Sequence, residues 1–111
     1  MIYEKFTEDA LFIFKEFAER FNFKITDVSI YGIHFSNNRC ELDITFESGI
    51  QIWLKLPKYN AMEMIPVLAM YKGDAVFEKY RNIMLKENSK EKMSDIVEFL
   101  IKYFFDELKE N

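Results

Sequence analysis

The stretch VSIYGIHFSNNRCELDITFESGIQIWLKL, residues 28–56, decides the fold. Apolar and polar residues alternate along it with the period of two that marks a half-buried strand. Asn37-Asn38 and Glu47-Ser48-Gly49 divide it into three runs. Asn tolerates left-handed backbone angles, so Asn37-Asn38 predicts a two-residue type I′ hairpin. That turn sets Ser36 opposite Arg39, Phe35 opposite Cys40, Ile33 opposite Leu42 and Tyr31 opposite Ile44, which gathers apolar groups on one face.

The second turn tests the register. A two-residue Ser48-Gly49 loop sets Phe46 against Gln51 and mixes the faces, because a one-residue slip inverts every side chain. A three-residue loop, residues 47–49 with Gly49 left-handed as a G1 bulge, restores order. Phe46 then faces Ile50, Ile44 faces Ile52, Leu42 faces Leu54 and Cys40 faces Leu56. On the opposite face the rows become His34–Glu41–Lys55, Gly32–Asp43–Trp53 and Ile30–Thr45–Gln51. Opposite charges meet in the first row, which favours the pairing. Trp53 stands among polar groups beside a glycine that leaves space, so this face is the first candidate binding surface.

Helices flank the sheet. Thr7 reads as an N-cap, and Ala10, Leu11, Ile13, Phe14, Phe17, Ala18 and Phe21 form one apolar arc at 100° per residue, with Asn22 as the stop. Phe12 falls among Lys15, Glu16 and Glu19 on the polar side. Residues 23–27 read as a lead into the sheet, Pro57 ends the third strand, and residues 58–60 read as a loop. Residues 61–71 contain Pro66 and read either as a short helix capped by Asn60 and kinked at Pro66 or as an edge strand; the favoured division is a helix or irregular segment over 61–65 with a short strand over 67–71, which would extend the three-stranded sheet to four. Asp74 reads as the cap of a helix over 75–86, with Val76, Phe77, Tyr80, Ile83 and Met84 on one face and Leu85 opposite. Ser89 caps a last helix to about Lys109, whose arc is Met93, Ile96, Val97, Leu100, Ile101, Phe104, Phe105 and Leu108. Phe99 lies outside that arc. The order α-β-β-β-(α/β)-α-α is that of an α+β fold, a small antiparallel meander with helices packed on one face.

A chain of 111 residues with 50% hydrophobic and 31% charged residues is sized and composed for one globular domain over residues 1–111. Its twelve Phe must fill a core or mark a contact surface. The net charge of −4 opposes nonspecific binding to nucleic acid and suits a basic partner. Glu41, Asp43 and Glu47 crowd the Trp53 face and repel phosphate. The lone Cys40 has no internal disulfide partner, Met1 leads straight into charged residues without a signal-peptide pattern, and no apolar run has the length of a membrane span. The expectation is a cytoplasmic protein, and richness in Lys, Ile, Phe and Asn hints at an AT-rich bacterial genome.

Catalytic vocabulary is thin. His34 with Glu41 and Asp43 could hold a divalent metal or do acid–base work, but a surface ion pair between His34 and Glu41, extended by Lys55 along the polar row of a one-sided sheet, is the favoured reading. A single His leaves no second imidazole for a typical zinc site. Cys40 sits on the apolar face, where a small core residue is the simpler reading than a nucleophile. Met62, Met64 and Met70 could line an adaptable groove, but gap-filling core is the favoured reading. No phosphate loop is present, no cofactor is expected, and no motif ties the chain to a family.

The resulting expectation is a non-enzymatic bacterial protein-binding module, most concretely an immunity- or antitoxin-type inhibitor of a basic toxin enzyme. Its candidate partner contacts are Trp53, Glu41, Asp43, Glu47, His34 and Lys55, with Phe12 and Phe99 as further apolar contacts. The alternatives are a homo-oligomeric accessory protein, a homodimer included, and a metal-binding enzyme built on His34, Glu41 and Asp43.

Overall fold

A computed structural model describes residues 3–57 and 61–110. Its elements run α1 (Phe6–Arg20), β1 (Lys24–Ser29), β2 (Gly32–Ser36), β3 (Glu41–Phe46), β4 (Ile50–Lys55), β5 (Glu63–Met64), α2 (Ile65–Tyr71), α3 (Asp74–Met84) and α4 (Lys90–Leu108). The strands form one antiparallel sheet in the order β1-β2-β3-β4-β5. The α+β class with helices on one sheet face is as expected; the sheet has five strands among the described residues rather than three or four.

The β3–β4 register matches the sequence expectation throughout, with Phe46 opposite Ile50, Ile44 opposite Ile52 and Leu42 opposite Leu54. Its proposed cause does not hold. Gly49 has no positive φ, so the three-residue loop closes without a left-handed glycine.

The β2–β3 connection departs from expectation by two residues. Ser36 pairs with Glu41, Phe35 with Leu42 and Ile33 with Ile44, so residues 37–40 form a longer loop and no type I′ turn. The Asn37 side chain builds that loop. Its Oδ1 accepts from the Arg39 and Cys40 backbone N–H groups at 2.8 and 2.9 Å, and its Nδ2 donates to the carbonyls of Phe21 and Leu108 at 2.8 and 3.1 Å. An asparagine whose amide is committed in this way holds the turn by its side chain.

Residues 28–36 are not one strand. The chain reverses at Ile30-Tyr31, and the lead-in segment becomes the edge strand β1. No Gly, Asn or Asp marks this turn. It is held instead by Ser29, whose Oγ accepts from the Tyr31 N–H at 3.1 Å. Tyr31, expected on the buried face, is exposed in the turn. β1 carries a bulge between Ile25 and Asp27, and all six of its residues are exposed.

α1 ends as the sequence suggests. Asn22 has φ +59°, and the N–H groups of Asn22 and Phe23 donate to the carbonyls of Glu19 and Ala18 at 3.3 and 2.8 Å. This is a Schellman closure with Asn in the left-handed position. Its start differs, because Thr7 lies inside the helix and donates its hydroxyl to the Ser29 carbonyl at 3.0 Å.

Residues 61–71 invert the expected order. β5 comes first, with Met64 beside Trp53, and α2 follows with Pro66 in its first turn. There the missing proline N–H costs nothing, so Pro66 opens a helix instead of kinking one. The expected loop at 58–60 lies outside the described residues. α3 begins after Gly73, which holds φ +120°, and Asp74 is its first residue, not its cap. Ser89 caps α4 as expected, accepting from the Lys92 N–H at 3.2 Å.

One core joins these parts. The inner sheet face, from Ile33 and Phe35 through Leu42 and Ile44 to Ile52 and Leu54, packs against Phe6, Phe14 and Phe17 of α1 and Ile96, Leu100 and Phe104 of α4. The buried stripe of α4 is rotated from the expected one. It takes in Phe99 and Lys92 and leaves Phe105 exposed, because α3 packs against that flank through Tyr80.

Candidate functional site

The outer sheet face is where polar chemistry gathers. Strand alternation sends the even-numbered β2 residues and the odd-numbered β3 and β4 residues to this side, where they are half-buried by one another. The observed rows are Asp27–His34–Asp43–Trp53–Met64, Ser36–Glu41–Lys55 and Ser29–Gly32–Thr45–Gln51. Gly32 therefore stands beside Thr45, not beside Trp53. A Cβ there would lie 2.8 Å from the Ile44 carbonyl oxygen, so the glycine permits close strand approach and leaves no open space.

His34, Glu41, Asp43 and Lys55 do come together despite the two-residue shift. His34 Nδ1 contacts Asp43 Oδ1, its Nε2 lies 3.1 Å from Glu41 Oε1, and Lys55 Nζ lies 3.3 Å from Glu41 Oε2. A neutral imidazole has one donor and one acceptor, whereas carboxylates only accept. Both ring contacts are hydrogen bonds when both nitrogens carry protons, and the row then alternates in sign: carboxylate, imidazolium, carboxylate, ammonium.

That geometry opposes a shared metal at this cluster. The two carboxylates bind opposite edges of the ring, so they do not converge with one imidazole nitrogen on a common point. Among the described residues no group of three His, Cys, Asp or Glu side chains is placed to hold a metal ion.

Trp53 lies on the outer face, as expected, and its Nε1–H donates to Thr45 Oγ1 at 3.3 Å. The indole borders an open groove of about 310 Å³, whose lining includes Asp43, Thr45, Glu47, Gln51 and Met62. Glu41 and Asp43 are engaged by His34 and Lys55, whereas Glu47 is exposed and makes no ion pair with the described residues. Met62 lines this groove, the less favoured of its two sequence readings, because it lies two residues before the Met64 that pairs with Trp53. Met70 also leaves the expected core and is exposed on α2.

The remaining candidates separate. Phe12 is 72% exposed on α1, with the Lys90 ammonium 5.8 Å from its ring centroid. Phe99 is buried, its ring centroid 5.1 Å from that of Tyr80 and 4.9 Å from that of Tyr103, so it is core and not a partner contact. Cys40 is buried, and burial pushes its thiol up to about 11, which suits a core residue. Lys92 escaped the sequence reading. It stands four residues before Ile96 on the buried side of α4, and only its place in that stripe signals it. No helix among the described residues is long and apolar enough to cross a membrane. No family model, no curated protein and no solved structure matches the chain.

Proposed function

We propose that this chain is a non-enzymatic binding protein that holds a protein partner on its outer sheet face. The observation that carries the reading is the groove at Trp53: a half-exposed indole fixed by Thr45, beside the unpaired carboxylate of Glu47. An aromatic anchor with a charged rim is the arrangement that concentrates binding energy in interfaces, and carboxylates at the rim steer a cationic partner. With the net charge of −4, the most concrete form of the proposal is an immunity- or antitoxin-type inhibitor of a basic toxin enzyme in a bacterial cytoplasm. Glu47 and Asp27 supply steering charge, while Glu41 and Asp43 position His34 and Lys55.

Trp53 is the one tryptophan, so its fluorescence reports on this face. A basic protein recovered from the host by affinity capture should shift Trp53 emission on titration. Trp53→Ala should weaken that complex by about 2 kcal/mol or more, roughly 30-fold, and Glu47→Gln should slow association at low salt. A partner that binds both variants as tightly as the parent chain overturns the assignment of the surface.

Self-assembly is a second reading with an observation of its own. Ile25, Val28, Ile30 and Tyr31 are all exposed on or beside the edge strand β1. Light scattering that finds a strict monomer at high concentration removes it.

A further inference from the structure

A second groove adjoins the Trp53 groove and shares Ser48, Gly49 and Gln51 with it. It runs between the start of β4, the β5–α2 junction and the α3–α4 turn, with a volume of about 480 Å³. Its walls include Met64, Pro66, Met84 and Leu85, and Leu85 is 75% exposed at its mouth. Lys92 lines the same groove although its side chain is only 5% exposed. Its Nζ donates to the Met84 carbonyl and to Asn88 Oδ1, each at 3.1 Å.

An ammonium carries three donors. Lys92 has two acceptors, both uncharged, and no carboxylate among the described residues forms an ion pair with it. The neighbouring Lys86 differs: it is exposed and paired with Asp95 at 2.5 Å and with Glu91 at 3.6 Å. Fixing the end of α3 through the Met84 carbonyl does not by itself call for burial, since exposed lysines serve helix C-termini equally well. Burial lowers the pKa of the Lys92 ammonium, as expected for a cation removed from water without a counter-ion.

We propose that this groove binds a monocarboxylate with an aliphatic tail, the carboxylate meeting Lys92 and the tail lying along Met64, Pro66, Met84 and Leu85. Lys86 and Glu87, which also line the groove, carry opposite charges, so the one uncommitted donor of the buried Lys92 ammonium matches one negative charge. The walls beyond it offer methionine, proline and leucine surface, which suits a hydrocarbon. The size lies in the range of small-molecule sites. The site borders the partner surface, but Lys92, Pro66, Met84 and Leu85 line this groove and not the one at Trp53, so variants at Lys92 and Leu85 test it apart from Trp53 and Glu47.

The test uses octanoate, with octanol as the uncharged control of equal chain length. Octanoate should raise the melting temperature of the intact chain in a dose-dependent way and should shift amide resonances around Ile50, Leu85 and Lys92; octanol should do neither at the same concentration. Lys92→Met removes the charge and keeps the stem. Its affinity for octanoate should fall by about tenfold or more, while the unliganded protein should still unfold cooperatively, the relief of a buried charge offsetting the two hydrogen bonds lost from the Met84 carbonyl and Asn88. Leu85→Glu alters only an exposed residue, so it guards against misfolding of the first variant, and its added anion at the mouth should weaken octanoate binding. An octanoate response absent from the parent chain, equalled by octanol, or retained in both variants overturns the proposal.

Discussion

The two faces of the sheet are made by the same strands, yet they tolerate error differently. On the inner face every position of β2, β3 and β4 is apolar and buried, so a two-residue slide exchanges one apolar pair for another. On the outer face particular partners must meet: His34 with Asp43 and Glu41, Lys55 with Glu41, Trp53 with Thr45, and Gly32 against the β3 backbone. The inner face supplies stability without specifying an offset; the outer face is sensitive to the offset and contributes less energy.

The contrast can be broken most severely from inside. Ile44→Ala, at a position with no solvent exposure, should cost about 2–5 kcal/mol, the loss for a large-to-small core change, read as a lower urea midpoint. Gly32→Ala comes next. Its new methyl would lie 2.8 Å from a backbone oxygen that cannot turn aside, so a loss of about 1–3 kcal/mol is expected from overpacking. A variant as stable as the parent would show that β2 and β3 can separate there, and the outer face would lose its claim to a fixed offset. His34→Ala should be the mildest. Its contacts with the two carboxylates are half-exposed, and even fully charged pairs at such sites are worth about 0–1 kcal/mol. A loss several times larger would place the outer row among the stabilising elements and erase the distinction between the faces.

The same distinction explains what could be read from the sequence. Alternation fixes whether a residue points in or out, and it placed Trp53, His34, Glu41 and Asp43 outward and Ile33, Leu42 and Ile52 inward. It fixes the register only to within an even number of residues. The remaining offset belongs to the loops. At 47–49 the loop length followed from the parity of the flanking strands. At 37–40 the offset depends on the Asn37 amide, which turns toward distant carbonyls, and no local pattern announces that. The Ile30-Tyr31 turn was hidden because a serine hydroxyl, not a glycine, holds it. Phe99 and Lys92 were misplaced or missed because the helical period shows that α4 has an apolar stripe, while the packing of α3 decides where that stripe begins and ends. The cluster at His34 survived the register error because its long side chains reach diagonally as well as straight across.

Asn37 has a further effect, on timing. Its Nδ2 donates to the carbonyls of both Leu108 and Phe21, and the Arg39 guanidinium donates to the carbonyls of Asp106 and Lys109 at 3.1 and 3.0 Å. The bond to Phe21 joins the hairpin tip to the end of α1 within the first half of the chain. The bonds to Leu108, Asp106 and Lys109 need α4 in place, so until that helix is made α1 covers the inner sheet face without it.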